Sequence, residues 1–189
     1  MPVSLKPLVA LLPWRRTVLH AHEIYDAIVA QARLPIHYQE HGVPDSLEGR
    51  FMVLSLHLFA VLHRLQGQGK AASATAQSLV DRFTADMDTV LRETGVGDLS
   101  VPNKVRKLVA SGASLHETYE RAFANGGTAL EDEIAGALPG DGNAARAASA
   151  RVTPYLREII ESLEIQPVQA ICEGRLKFPG TRAEGAAQS

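Results

Sequence analysis

Cysteine is nearly missing from this 189-residue chain. Cys172 is the single example, which excludes an internal disulfide and any multi-cysteine zinc or iron–sulfur centre. A surplus of one charge is also missing. Lys and Arg number 19 against 21 Asp and Glu, a formal net charge of −2. No global basic field exists to hold a polyanion, and sequence-specific nucleic-acid binding is not expected. Long hydrophobic runs are lacking too. The most apolar stretch, 51–62, already contains Ser55 and His57, whereas a bilayer span needs about 20 residues. Pro7 and Pro13 bracket only Leu8 to Leu12 before Trp14-Arg15-Arg16. That is too short for a secretory signal, whose apolar region runs about 7–15 residues and ends at a small-residue cleavage site. Residues 1–17 therefore read as an apolar and basic segment, either docked on the domain's own core or resting as an interfacial foot on anionic lipid.

What is present is helical periodicity. With 46% apolar and 21% charged residues the chain has ordinary globular usage, and its length fits one domain. A first helix is expected over 18–32, with Leu19, Ile24, Ile28 and Val29 at helical spacing, stopped before Pro35. A short turn of helix over 36–41 ends at Gly42, expected at C′. Asp45 and Glu48 read as a capping-box pair opening the next helix. That helix, about 45–66, is apolar nearly all round, which in a water-soluble domain marks the central element. Further helices are expected over 72–94, from Ser100 onward with a weak point at Gly112, over 129–138 and over 144–163. The expected fold is all-α: a single compact bundle of about five to seven helices around the central helix, spanning 18–163. Residues 164–189 follow as a partly flexible C-terminal extension.

Chemistry-bearing patterns are sparse. No nucleophile elbow, phosphate-binding loop or dinucleotide fingerprint occurs, so neither catalysis nor a cofactor is expected. His37 and His41 are spaced i, i+4 and share a helical face, as zinc ligands do, but no H-E-x-x-H or third ligand accompanies them. His57 sits in the most apolar helix. It reads as a buried neutral imidazole bonded to a neighbouring carbonyl or carboxylate, with a ligand or proton carrier as the alternative. Asp86 and Asp88 read as a solvated face. Lys104, Arg106 and Lys107 form the densest local basic patch, suited to phosphate on a ribosome or an anionic membrane surface and otherwise an ordinary surface.

Tyr25-Asp26, Ile28-Val29-Ala30-Gln31-Ala32-Arg33, Pro35, Tyr38, Gly42-Val43-Pro44-Asp45, Gly49-Arg50-Phe51 and Leu56-His57-Leu58-Phe59 together resemble the ubiquinol–cytochrome c chaperone family. Phe83, Asp86-Met87-Asp88, Leu91-Arg92-Glu93, Gly95-Val96-Gly97-Asp98, Val101-Pro102 and Lys104 follow in matching order. The likeness covers roughly 18–125, and Gly174-Arg175-Leu176-Lys177-Phe178-Pro179 resembles the family's tail. The chain departs from the pattern after Lys107, where Ala110-Ser111-Gly112-Ala113-Ser114 replaces an aromatic-Gly-Arg stretch. The resemblance implies a non-catalytic factor that binds newly made cytochrome b, or its nascent chain, and aids assembly of the ubiquinol–cytochrome c reductase. It also implies a cytoplasmic protein, peripheral at most to the inner face of the membrane, and the alanine-rich composition points to a bacterial member. Partner contacts are expected at Tyr25, Arg33, Tyr38, Arg50 and Phe51, and at the basic patch. Tyr and Arg combine contact area with directed hydrogen bonds. Against this stand a local pairing of Arg50 with Asp45 or Glu48 and a core role for Phe51, the latter preferred. The alternatives are a haem- or metal-binding helical protein using His57 or His37 and His41, and an interaction domain with another client.

Overall fold

The computed structural model describes residues 13–93 and 112–179. The described residues form eight helical segments and no strand: α1 Pro13–Ala32, α2 Ile36–Gln39, α3 Leu47–Leu65, α4 Lys70–Glu93, α5 Gly112–Asn125, α6 Ala129–Ala137, α7 Gly142–Glu164 and α8 Val168–Cys172. Two of these, α2 and α8, are only 4 and 5 residues long, so the frame is six longer helices, as expected. The central role of α3 holds. It buries residues on every side, from Phe51, Met52 and Val53 to Val61 and Leu65, and packs against α1, α4, α5 and α7. Burying a large aliphatic or aromatic side chain is worth about 1.5–3 kcal/mol, so this helix anchors the core.

Local chemistry shifts several boundaries. α1 starts at Pro13 rather than near 18; proline suits a first helical position because its missing N–H has no partner there. The cap of α3 is Ser46, not Asp45. Ser46 has extended backbone and its side chain accepts from the Gly49 N–H at 3.1 Å, which frees the Asp45 carboxylate to accept from Arg50 Nε at 2.7 Å. Gly42 falls one position beyond C′, because α2 ends at Gln39 with Glu40 as its C-cap. Gly49 is required by close approach. A Cβ there would stand 1.9 Å from the Pro44 carbonyl oxygen, so the entry turn and the helix touch backbone to backbone. α4 spans 70–93 and α7 spans 142–164, the latter capped by Asp141 accepting from the Ala144 N–H at 2.7 Å. The expected helix start at Ser100 lies outside the described residues; Gly112, the expected weak point, is the first residue of α5.

Residues 164–179 are built into the bundle. Arg64 donates to the carbonyls of Leu163 and Gln166 at 2.8 and 2.9 Å. The Gln166 amide then bridges to Lys177, donating to its carbonyl at 2.7 Å and accepting from its N–H at 2.9 Å. α8 packs on α1 and α4 and contributes fully buried Ile171, and Phe178 is only 6% exposed. Gly174, at φ +81°, turns this segment against α1, where a side chain would meet the Glu23 carboxylate. The resemblance between Gly174 and Pro179 thus falls on residues that close the core.

Candidate functional site: a groove between α1, α3 and α4

The end of α1, the adjoining α2, the first turns of α3 and the second half of α4 leave an open groove of about 190 Å³ between them. Its walls are Val29, Leu54, Met87 and Val90, with Arg33, Tyr38, Arg50 and Asp86 among the polar lining and Phe51 at its floor. Four of the five contacts expected in this region therefore meet at one surface feature. The fifth, Tyr25, does not reach it. Tyr25 is 1% exposed and donates its hydroxyl to Asp86 Oδ2 at 2.9 Å, so it supports the wall rather than facing a partner. Burial, then the Asp86 charge, raises the Tyr25 pKa well above the ordinary phenol value, so it stays a donor.

The groove's polar groups are held in different ways. Tyr38 donates to the Ala32 carbonyl at 2.9 Å, fixing α2 against the end of α1, and desolvation raises its phenol pKa. The Arg50 guanidinium lies 5.9 Å from the centre of the Tyr38 ring while its Nε is bonded to Asp45, the local pairing weighed from sequence. That pair is open to solvent, with side chains 63% and 55% exposed, and the hydrogen bond from Arg50 lowers the Asp45 pKa. Asp86 is no solvated residue, contrary to expectation. Between the Tyr25 hydroxyl and Arg82, 3.8 Å away, it is half-buried because parallel packing of α1 on α4 turns it inward. Phe51 is 4% exposed and lies 5.9 Å from the Phe83 ring, so its core role holds. Leu54 and Met87 were not singled out from sequence; Met87 stood in the resemblance, but helical spacing alone reads it as core. Lys104, Arg106 and Lys107 lie outside the described residues.

The histidines form a second, closed cluster on the other side of α2. His57 is 1% exposed. Its Nδ1 lies 2.7 Å from the Val53 carbonyl, which can only accept, so Nδ1 carries the proton. Nε2 then accepts from the Tyr155 hydroxyl at 3.0 Å, and that oxygen accepts from the Gln31 amide at 3.0 Å. His37 Nε2 donates to the Gln31 carbonyl at 3.0 Å. Desolvation, with repulsion from His37 and His41, pushes the His57 pKa down to about 3; burial also lowers His37 and His41. The His37 and His41 rings are 5.4 Å apart, yet among the described residues no three His, Cys, Asp or Glu side chains converge as metal ligands. The void beside His57 is about 10 Å³, room for a single water at most and none for a haem. A further pair, missed in the sequence, ties α3 to α5. His63 Nδ1 lies 2.9 Å from both Glu120 carboxylate oxygens, and His116 Nε2 stands 3.5 Å from the same group.

The family model described as Ubiquinol-cytochrome C chaperone matches residues 39–178. The chain belongs to that family. The crystal structure of the Cbp3 homolog from Brucella abortus is similar to this chaperone at 30% sequence identity and a TM-score of 0.70, covering 87% of this chain and 91% of that one. No curated protein sequence matches it significantly. The family match takes in the α3 and α4 walls of the groove and the closing segment through Phe178; the α1 wall and Tyr38 precede it. No described helix of the chaperone is long and apolar enough to cross a membrane.

Proposed function

We propose that this chain is a non-catalytic assembly chaperone that binds newly made cytochrome b and aids its entry into the ubiquinol–cytochrome c reductase. The observation that carries the reading is the family match over 39–178, which includes the groove-lining Leu47, Arg50, Phe51, Leu54, Asp86, Met87 and Val90. A client built from transmembrane helices exposes apolar surface before it is folded, and an open groove between helices shelters such a segment by helix-in-groove packing. The groove's size favours anchoring side chains over a cofactor, since small-molecule sites usually enclose about 300–1,000 Å³. In this reading the protein works on the cytoplasmic side, at the inner face of the membrane. Lys104, Arg106 and Lys107 provide a local basic contact to a ribosome or to anionic lipid. The experiment is affinity capture of the tagged protein from gently solubilised, translating cells. Enrichment of newly made cytochrome b over other membrane proteins supports the reading. Its absence, with a crosslinked control client recovered, assigns the domain to another client.

A further inference from the structure

We propose that the groove selects an apolar segment bearing a carboxylate, with Arg33 as the side chain that holds it. This rests on the groove being the client surface and adds the chemistry by which it chooses. The polar groups around the groove divide into those already committed and one that is not. Asp86 is held by Tyr25 and Arg82. Arg50 is bonded to Asp45. The Tyr38 hydroxyl is spent on the Ala32 carbonyl. Arg33 is exposed and lines the groove, and among the described residues it makes no side-chain hydrogen bond or ion pair. Two neutralised pairs and one free guanidinium leave the rim with a positive charge beside apolar walls of Val29, Leu54, Met87 and Val90.

A partner that only buried hydrocarbon would leave that charge without a counterpart at the edge of a desolvated contact. A partner with an acid one or two turns beyond its apolar anchors meets it with a forked, charge-assisted pair. Met87, unbranched and adaptable, suits a wall that accepts more than one anchor side chain.

The test uses the full chain and labelled 15-residue helical peptides. One carries Leu, Leu and Phe at i, i+3 and i+7 with a single Glu in the next turn; the other has Gln for that Glu. Anisotropy titrations at low salt should show the Glu peptide binding about tenfold more tightly. Arg33→Ala should erase the preference while retaining the Gln peptide's affinity, and Arg33→Glu should reverse it toward a Lys peptide. Equal binding of the Glu and Gln peptides overturns the proposal, as does a preference that survives Arg33→Ala. It is also overturned if anionic phosphatidylglycerol vesicles, and neither peptide, bind in an Arg33-dependent way. A photocrosslinking amino acid at position 54 that links, in the isolated protein, to residues 94–111 overturns it by making the chain's own segment the occupant. Capture of cytochrome b by the unsubstituted protein separates the two claims. Cytochrome b enriched with undiscriminated peptides leaves the chaperone reading standing and this one fallen; discriminated peptides without cytochrome b reverse that outcome.

Discussion

His37 and Tyr38 are neighbours on one short helix, their rings 6.2 Å apart, and serve opposite sides of it. His37 faces inward to a network in which each assigned donor has an acceptor, running from Gln31 through Tyr155 and His57 to Val53. Tyr38 faces the groove, where the arginines keep much of their hydrogen-bonding capacity toward solvent. The three clustered histidines look more like a site than a tyrosine and two arginines do. Yet His37 and His57 are bonded into that network, and only His41, at its edge, keeps a buried ring nitrogen, Nδ1, without a partner. The difference teaches that saturation, not residue type, separates scaffold from surface. A buried polar network with every member satisfied specifies packing, whereas an exposed guanidinium beside apolar walls retains something to give a partner.

Breaking the scaffold where it meets the groove should have the largest effect on stability. Gly49→Ala places a methyl group against the Pro44 carbonyl, backbone against backbone, so neither side can yield by a rotamer change. Overpacking of this kind costs about 1–3 kcal/mol, and the upper end is expected. Thermal unfolding should show a fall of about 6–12 °C, at roughly 2–4 °C per kcal/mol for a chain this long. An unchanged midpoint would mean that the entry turn relaxes freely.

Within the closed cluster, Tyr155→Phe removes the hydroxyl that joins the Gln31 amide to His57 Nε2. His57 Nε2 then loses its partner and the Gln31 amide keeps only the Pro179 carbonyl, at 3.4 Å, with an expected cost of about 1–3 kcal/mol by urea unfolding. Circular dichroism should remain native-like. Client capture should persist, because this network does not reach the groove. A variant that keeps full stability but loses capture would invert the division between scaffold and surface.

Acid should sharpen the same contrast. His57 titrates near 6.5 when unfolded and is pushed down to about 3 by burial, so at intermediate pH the unfolded chain binds the extra proton. Stability is therefore complete above about pH 6.5 and declines as pH falls toward 3, by up to about 1.4 kcal/mol per pH unit for this one group. His37, His41 and His116, lowered in the same direction by burial, steepen the fall. Denaturant midpoints at pH 7 and pH 5 for the protein and for His57→Phe measure this. The variant should show a shallower slope; an equal slope would assign the acid sensitivity elsewhere.

The frame of the fold was legible because its signals are local: an all-round apolar run for α3, stop signals at Pro35 and Gly67, and periodic faces on α4 and α7. The cap of α3 was misplaced by one residue because Asp45 and Ser46 are both good caps, and only the pairing of Asp45 with Arg50 decides between them. The groove was half legible. Arg33, Tyr38, Arg50 and Phe51 came from the resemblance, while Leu54 and Met87 wear the same apolar chemistry as any core position. Asp86 and Tyr25 could not be sorted from sequence, since their bond joins residues 61 apart. The histidine cluster was hidden for the same reason: Tyr155 is 98 residues from His57, and no periodicity links them.

Arg50→Ala is the mildest change to the scaffold. Its ion pair with Asp45 is exposed on both sides, and such pairs contribute about 0–1 kcal/mol, so unfolding midpoints and helicity should barely move. Capture of newly made cytochrome b should nonetheless weaken severalfold, because the guanidinium and its methylene stem cover the groove beside Tyr38. Arg50→Lys separates charge from shape. Lysine keeps the positive charge but not the planar fork of donors beside the Tyr38 ring, so partial recovery assigns the contact to charge and no recovery assigns it to the guanidinium's shape. Equal loss of capture and of helicity in Arg50→Ala would make the residue part of the scaffold, and the boundary between the two sides of α2 would then have to be drawn outside Asp45.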